Sequence, residues 1–235
     1  MPEDTEAQFC PNCGTKLRSR EISPLAAILV LVLSFFAGVV AFPVLFLTEL
    51  SVATLIVSTV GELMFLLVPL FYMLYRKINV KEYIMFGRLK HIISGLGLGM
   101  ALQVVSIALG FVLVYLLGPS TAVEESNQVI IDMASQSPAG TILFLLVPGI
   151  CEEFALRGFL QNSLRRRYSP TVAIVGASLA FGLLHFDLQG TYMIMTFAIG
   201  VFLGYFYNRF RSYVMAATAH TAFNLMTFAL LMLAF

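Results

Sequence analysis

The sequence predicts an all-α, polytopic transmembrane bundle of about seven helices, and three observations lead there. Of its 235 residues, 59% are hydrophobic and only 11% are charged, where a water-soluble domain carries about a quarter charged. The mean hydropathy is +0.90, so too little polar side chain is present to coat a globule in water. The apolar residues fall into long blocks instead of the short alternating runs of a β-barrel, which makes α-helices the spanning elements. The net charge of +1 gives no reason to expect a nucleic-acid partner. The partner that this composition implies is the lipid bilayer.

A spanning helix needs about 20 mostly apolar residues. Seven blocks meet or approach that length, at roughly 24–47, 51–75, 92–117, 139–163, 169–187, 190–208 and 212–234. Gly and Pro within them, such as Pro43, Pro69 and Pro148-Gly149, are tolerated in membrane helices. A kink at Pro148 would open space beside the polar residues that follow it. Gly95, Gly97 and Gly99, and Gly176 with Ala180, suit close helix contacts.

Charge placement supports the count. Thirteen of the fourteen basic residues fall before the first block, between the second and third, after the fourth and after the sixth. The alternate loops hold Glu49, Glu124, Glu125, Asp132 and Asp187 and no Lys or Arg. The positive-inside rule then places the N-terminus in the cytoplasm and the C-terminus outside a cell membrane. The chain divides into a cytoplasmic tail (1–22), an N-terminal membrane region of three helices (23–138) and a core of four (139–235).

The tail opens without the apolar core of a signal peptide. It carries Phe9-Cys10-Pro-Asn-Cys13-Gly, which resembles one knuckle of a zinc ribbon. A structural zinc site takes four ligands, and Cys10 and Cys13 supply two. A degenerate half-site, a site shared between two chains, a missing upstream knuckle and a bland tail all remain open readings. A reduced CxxC suits a cytoplasmic tail, and three cysteines make no disulfide framework.

Four charges lie at membrane depth: Glu62, Glu152, Glu153 and Arg157. Each costs about 2.5–3.5 kcal/mol there, so such residues face partners and mark function. Glu153 and Arg157 are four apart and pair on one helix face. Glu152, about 100° round the helix, is left without a local partner, and an unpaired carboxylate in a low dielectric suits a general base. Against that stands a purely structural role, with both glutamates pairing with Arg157 to fix packing. Glu62 either lines the same cavity or pairs locally. Phe181-x-x-x-His185 ends the fifth block, where a lone histidine is commonly an interfacial residue. His220 and Asn224, four apart on the seventh block, share a face, and two polar side chains there need partners.

Together Glu152-Glu153-x-x-x-Arg157, Phe181-x-x-x-His185 and His220-x-x-x-Asn224, in that order, resemble the motifs of the CAAX protease and bacteriocin-processing family of intramembrane proteases. The resemblance covers about 139–231. It implies hydrolysis of a peptide or membrane-protein substrate at a site enclosed by helices. Glu152, with His185 beside it, would deprotonate the water, and His220 and Asn224 would stabilise the oxyanion. Glu153 and Arg157 would brace the helix, with Phe181 in support and Glu153 a second candidate for holding water. Glu152, Glu153, His185 and His220 could instead ligate Zn²⁺, a metalloendopeptidase-like alternative, although the glutamate mechanism is the simpler expectation. The contrasting function is a non-hydrolytic membrane protein, a transporter or an immunity or scaffold pseudoenzyme, binding through the same polar core. No internal repeat of the transporter kind is visible.

One tension accompanies these expectations. Counted from the basic loops at 1.5 Å per residue, Glu152 lies about 20 Å deep, His185 about 24 Å and His220 about 13 Å. Straight, upright helices with these starting points would not bring the three together.

Overall fold

The computed structural model of the chain describes residues 21–40 and 50–234. The Cys10/Cys13 knuckle, the end of the first apolar block and Glu49 lie outside the described residues. The described residues form a helical membrane bundle in which the seven apolar blocks correspond to helices. These are α1 (Pro24–Gly38), α2 (Leu50–Tyr75), α4 (His91–Leu117), a continuous helix from Pro138 to Arg165, α8 (Pro170–Leu184), α9 (Thr191–Phe210) and α10 (Tyr213–Ala234). Five of them are long and apolar enough to cross a membrane, while Pro24–Gly38 and Pro170–Leu184 are shorter.

The helix starts follow from local chemistry. Ser23-Pro24, Ser137-Pro138 and Ser169-Pro170 each place a hydroxyl at the N-cap and a proline in the first turn. The serine oxygens accept from Ala26 N (3.2 Å), Gly140 N (3.3 Å) and Val172 N (3.3 Å). Proline lacks the N–H that would otherwise go unbonded in that turn, so its presence there is free of penalty. Large side chains left exposed on α1 and α4, among them Phe36, Val104, Phe111 and Tyr115, form the apolar surface a lipid environment requires.

Two further helices lie in stretches that the apolar blocks leave as loops. α3 (Val80–Ile84) is a five-residue turn capped by Asn79. α5 (Thr121–Gln136) is amphipathic, starts at the Ser120 cap and carries Glu124, Glu125 and Asp132. Its polarity rules out a span, and it packs against α2, α10 and the helix that begins at Pro138, at the end of the bundle opposite the basic loops.

The long central helix is α-helical as α6 (Pro138–Glu153), π-helical over Phe154–Gln161, and α-helical again as α7 (Asn162–Arg165). Pro148 lies inside α6; the departure from α geometry comes later, directly after Glu153. α6 packs on α2, α5 and α10, and the π stretch packs on α8, α1, α2 and α3. This helix is therefore surrounded by neighbours.

Glycine sets how closely α10 approaches it. A Cβ on Gly149 would stand 2.7 Å from Thr221 N, so only glycine lets the two backbones meet there. Gly95 and Gly99 of α4 likewise press on α10 at Thr218, Ala219 and Ala222, whereas Gly97 faces open space.

The close α6–α10 contact resolves the depth tension. Thr221 meets Gly149, and Asn224 donates to Leu145 O at 3.3 Å. Run back along antiparallel helices, that pairing sets Tyr213 level with Arg157, about 12 Å inside the end of the central helix. α10 thus starts recessed, because the segment after α3 lies beneath it: Tyr213 N donates to Met85 O (2.9 Å) and Val214 N to Phe86 O (3.0 Å). Adding this recess to the depth counted for His220 brings it to about 25 Å, beside His185 and within about one helical turn of Glu152.

Candidate active site

Glu152 and Glu153 are the last two residues of α6, and both are buried. Glu153 reaches two partners at once. Its Oε2 lies 3.2 Å from Arg157 Nε and its Oε1 lies 3.0 Å from His220 Nδ1. Arg157, fully buried, also donates from Nη2 to Gly200 O at 3.2 Å, and its guanidinium lies 5.0 Å from the centre of the Phe181 ring. A cation at this depth needs such company: a carboxylate, a backbone carbonyl and an aromatic face. Glu153 is thereby committed to bracing both Arg157 and His220.

Glu152 has a different environment. Its Oε1 lies 4.0 Å from His185 Nε2 and its Oε2 lies 3.7 Å from His220 Nε2. Both separations exceed a direct hydrogen bond and suit a small guest, such as water, bonded on both sides. The protons on the rings follow from the other nitrogens. His185 Nδ1 stands 3.0 Å from Phe181 O, and a carbonyl only accepts, so Nδ1 carries a proton. His220 Nδ1 faces the Glu153 carboxylate, with the same consequence. In their neutral forms both imidazoles therefore turn an Nε2 lone pair toward Glu152.

Glu152, Glu153, Arg157, His185 and His220 come together from three helices. Phe181 is the wedge among them. Its ring lies edge-on to His185 (4.9 Å between centroids) and to His220 (5.8 Å), and its carbonyl fixes the His185 ring. The Phe-x-x-x-His spacing has a direct reason, since a residue four positions back offers its carbonyl to the histidine. Asn224 shares the His220 face one turn on, and one N–H of its amide is directed to Leu145 O. The sequence offered no signal for Tyr192. It reaches His185 with a ring contact of 5.3 Å because the α8–α9 turn folds it back.

The donor chemistry here suits zinc, with two imidazoles anchored through Nδ1 and a carboxylate. The spacing is a few tenths of an ångström wider than a bound ion would set, since adjacent donors on one tetrahedral zinc ion stand roughly 3.3 Å apart, against 3.7 and 4.0 Å here. Among the described residues, no three His, Cys, Asp or Glu side chains are grouped to hold a metal ion. Glu153, its oxygens turned to Arg157 and His220, is not directed at this space.

Fold and site define a polytopic helical membrane protein with a buried glutamate–histidine cluster between its helices. Residues 134–226 match the family described as Type II CAAX prenyl endopeptidase Rce1-like, and all the residues just placed in the cluster fall within that segment. The segment is thus similar to the core of an endopeptidase of the CAAX type, in agreement with the resemblance carried by the three motifs. No curated protein and no solved structure matches the chain.

Proposed function

We propose that the chain is an intramembrane endopeptidase in which Glu152 activates the attacking water. One observation carries the reading: Glu152 stands between the Nε2 atoms of two histidines from two other helices, at distances that admit a water. In this mechanism the water gives one O–H to Glu152 and the other to His185 Nε2. Glu152 takes its proton as the water oxygen bonds the substrate carbonyl carbon, and the carbonyl electrons move onto oxygen. His220, carrying its second proton on Nε2, donates to that oxyanion, and the Glu153 carboxylate at Nδ1 stabilises the charged ring. The remaining N–H of the Asn224 amide is a second donor, and such donors are worth about 3–4 kcal/mol each to a transition state. When the intermediate collapses, the C–N bond breaks and Glu152 returns its proton to the departing amine.

The substrate is a peptide or membrane-protein segment reaching this site within the bilayer. Basic loops in the cytoplasm and the acidic α5 outside would set the orientation. Reporter fusions at Glu124 and at Phe235 should both register the outer face; a cytoplasmic signal from either would overturn it. The activity itself is tested by incubating purified protein with a fluorogenic peptide library, using Glu152→Gln as control. Cleavage by the native protein and none by the variant is expected. Silence from the native protein across the library, or equal cleavage by both, would defeat the proposal.

A further inference from the structure

The two histidines beside Glu152 are held by unequal means. His220 sits within α10, its ring buried and its Nδ1 bonded at 3.0 Å to the Glu153 carboxylate. His185 lies just past the end of α8, where the backbone has left helical geometry (φ −107°, ψ 34°). Its side chain is 22% exposed, against 6% for His220 and 7% for Glu152. The partner of its Nδ1 is a neutral carbonyl, Phe181 O. Such a bond is roughly half as strong as one to a charged group, so this ring needs walls to keep Nε2 on Glu152.

Two rings provide them. The Phe181 ring stands at 86° to the imidazole with centroids 4.9 Å apart, and the Tyr192 ring at 89° and 5.3 Å. Phe181 is carried on the same helix as the histidine. Tyr192 is the second residue of α9, whose start is anchored separately. Asp187 Oδ1 accepts from Met193 N at 2.9 Å. Gln189 Nε2 donates to Leu117 O (3.2 Å) and Pro119 O (3.0 Å), at and just beyond the end of α4. The Tyr192 ring is thus planted on the bundle independently of α8. Resting on the peptidase reading, we infer that Tyr192, which belongs to none of the three motifs, is a positioning residue whose ring holds the His185 imidazole with Nε2 toward Glu152. The role belongs to the ring and not to the phenol hydroxyl. Without that ring the imidazole turns about its Cβ–Cγ bond and Nδ1 leaves Phe181 O. The proton that this carbonyl kept on Nδ1 is then shared with Nε2.

The test compares Tyr192→Phe, which keeps the ring, with Tyr192→Leu and Tyr192→Met, which remove it. On a peptide that the native protein cleaves, the ringless variants should lose about tenfold in kcat with KM unchanged. Tyr192→Phe should stay within about twofold of native. Alongside, carbon–nitrogen correlation spectra of protein with isotope-labelled histidine report which ring nitrogen carries the proton. They are recorded in lipid at about pH 9, where ordinary imidazoles are neutral, and His185 is assigned by the signal missing from His185→Ala. Native protein and Tyr192→Phe should show His185 protonated on Nδ1 alone. The ringless variants should show both tautomers, a change that a packing defect elsewhere would not produce. Equal damage by phenylalanine and leucine, a change confined to KM, or a native His185 pattern in the ringless variants would each overturn the inference. Failure of both ringless variants to fold would make Tyr192 a packing residue and overturn it as well. If the native protein cleaves no peptide, the peptidase reading has failed, and the spectra alone then decide whether Tyr192 holds the imidazole.

Discussion

Two polar clusters sit on the same buried helix, one at Glu152 and Glu153 and one at Gln161, Asn162 and Ser163, and they are built to opposite rules. In the second, donors end on fixed acceptors. Asn162 Nδ2 lies 2.7 Å from Tyr83 O and 2.6 Å from Tyr207 Oη, and Tyr207 in turn donates to Ile84 O at 2.7 Å. Gln161 Nε2 donates to Gly204 O (3.0 Å), and Ser163 Oγ to Ile22 O (2.9 Å). This cluster ties α3, α9 and the start of α1 to the central helix. The first cluster leaves Glu152 across gaps of 3.7 and 4.0 Å from the two Nε2 atoms. Donors that have met their acceptors hold the bundle together, even with Gln161 Oε1 left unbonded among the described residues; the gaps around Glu152 leave room for a guest.

That contrast can be broken by substitution. Glu152→Gln should lower kcat for peptide cleavage at least about a hundredfold, the usual worth of a general base. It should leave yield and melting temperature near native, since the amide keeps the shape of the carboxylate. Retained turnover would place Glu152 with the structural groups. Glu153→Gln should do the reverse in kind. With Arg157 left as an uncompensated buried charge, about 3–5 kcal/mol of stability is at risk, seen as poor yield and a lower melting temperature, with activity lost alongside. A stable but inactive Glu153→Gln protein would exchange the two roles.

Smaller effects sharpen the comparison. Asn162→Leu takes the side-chain donor from the carbonyls of Tyr83 and Gly158 and one of two partners from the Tyr207 hydroxyl, and should cost about 1–3 kcal/mol. Its kcat in the folded fraction should be unchanged; a selective loss of kcat would extend the catalytic region to the basic end. The smallest expected effect is that of chelation. Dialysis against EDTA and then phenanthroline should leave the rate unaltered, and a loss restored by Zn²⁺ would make Glu152, His185 and His220 ligands.

Most of the fold was legible in the sequence because lipid constrains composition so strongly that length and charge placement mark each span. The elements missed, α3 and α5, are those that do not cross, and nothing in a hydropathy argument separates a short amphipathic helix from a loop. At the site, the Glu153–Arg157 pair follows from spacing along one helix, and Glu152 is indeed left over. The hydrogen bond from His220 to Glu153 could not be read, since it joins residues 67 apart and depends on how far α10 is recessed. The direction of the Asn224 amide depends on the same offset.

The π-helical stretch from Phe154 to Gln161 stands between the two clusters. Each wide turn takes in about one residue more than an α turn, so it alters the angular phase of everything beyond it. In a regular α-helix one residue corresponds to about 100° of rotation. Wound as ordinary α-helix with no residue removed, the same stretch would turn Asn162 and Ser163 by on the order of 100° away from Tyr83 and Ile22 while Glu152 still faced the histidines. The bulge works as a phase shifter, letting one rod aim its reactive end and its anchoring end in directions that uniform winding would not bring into register together.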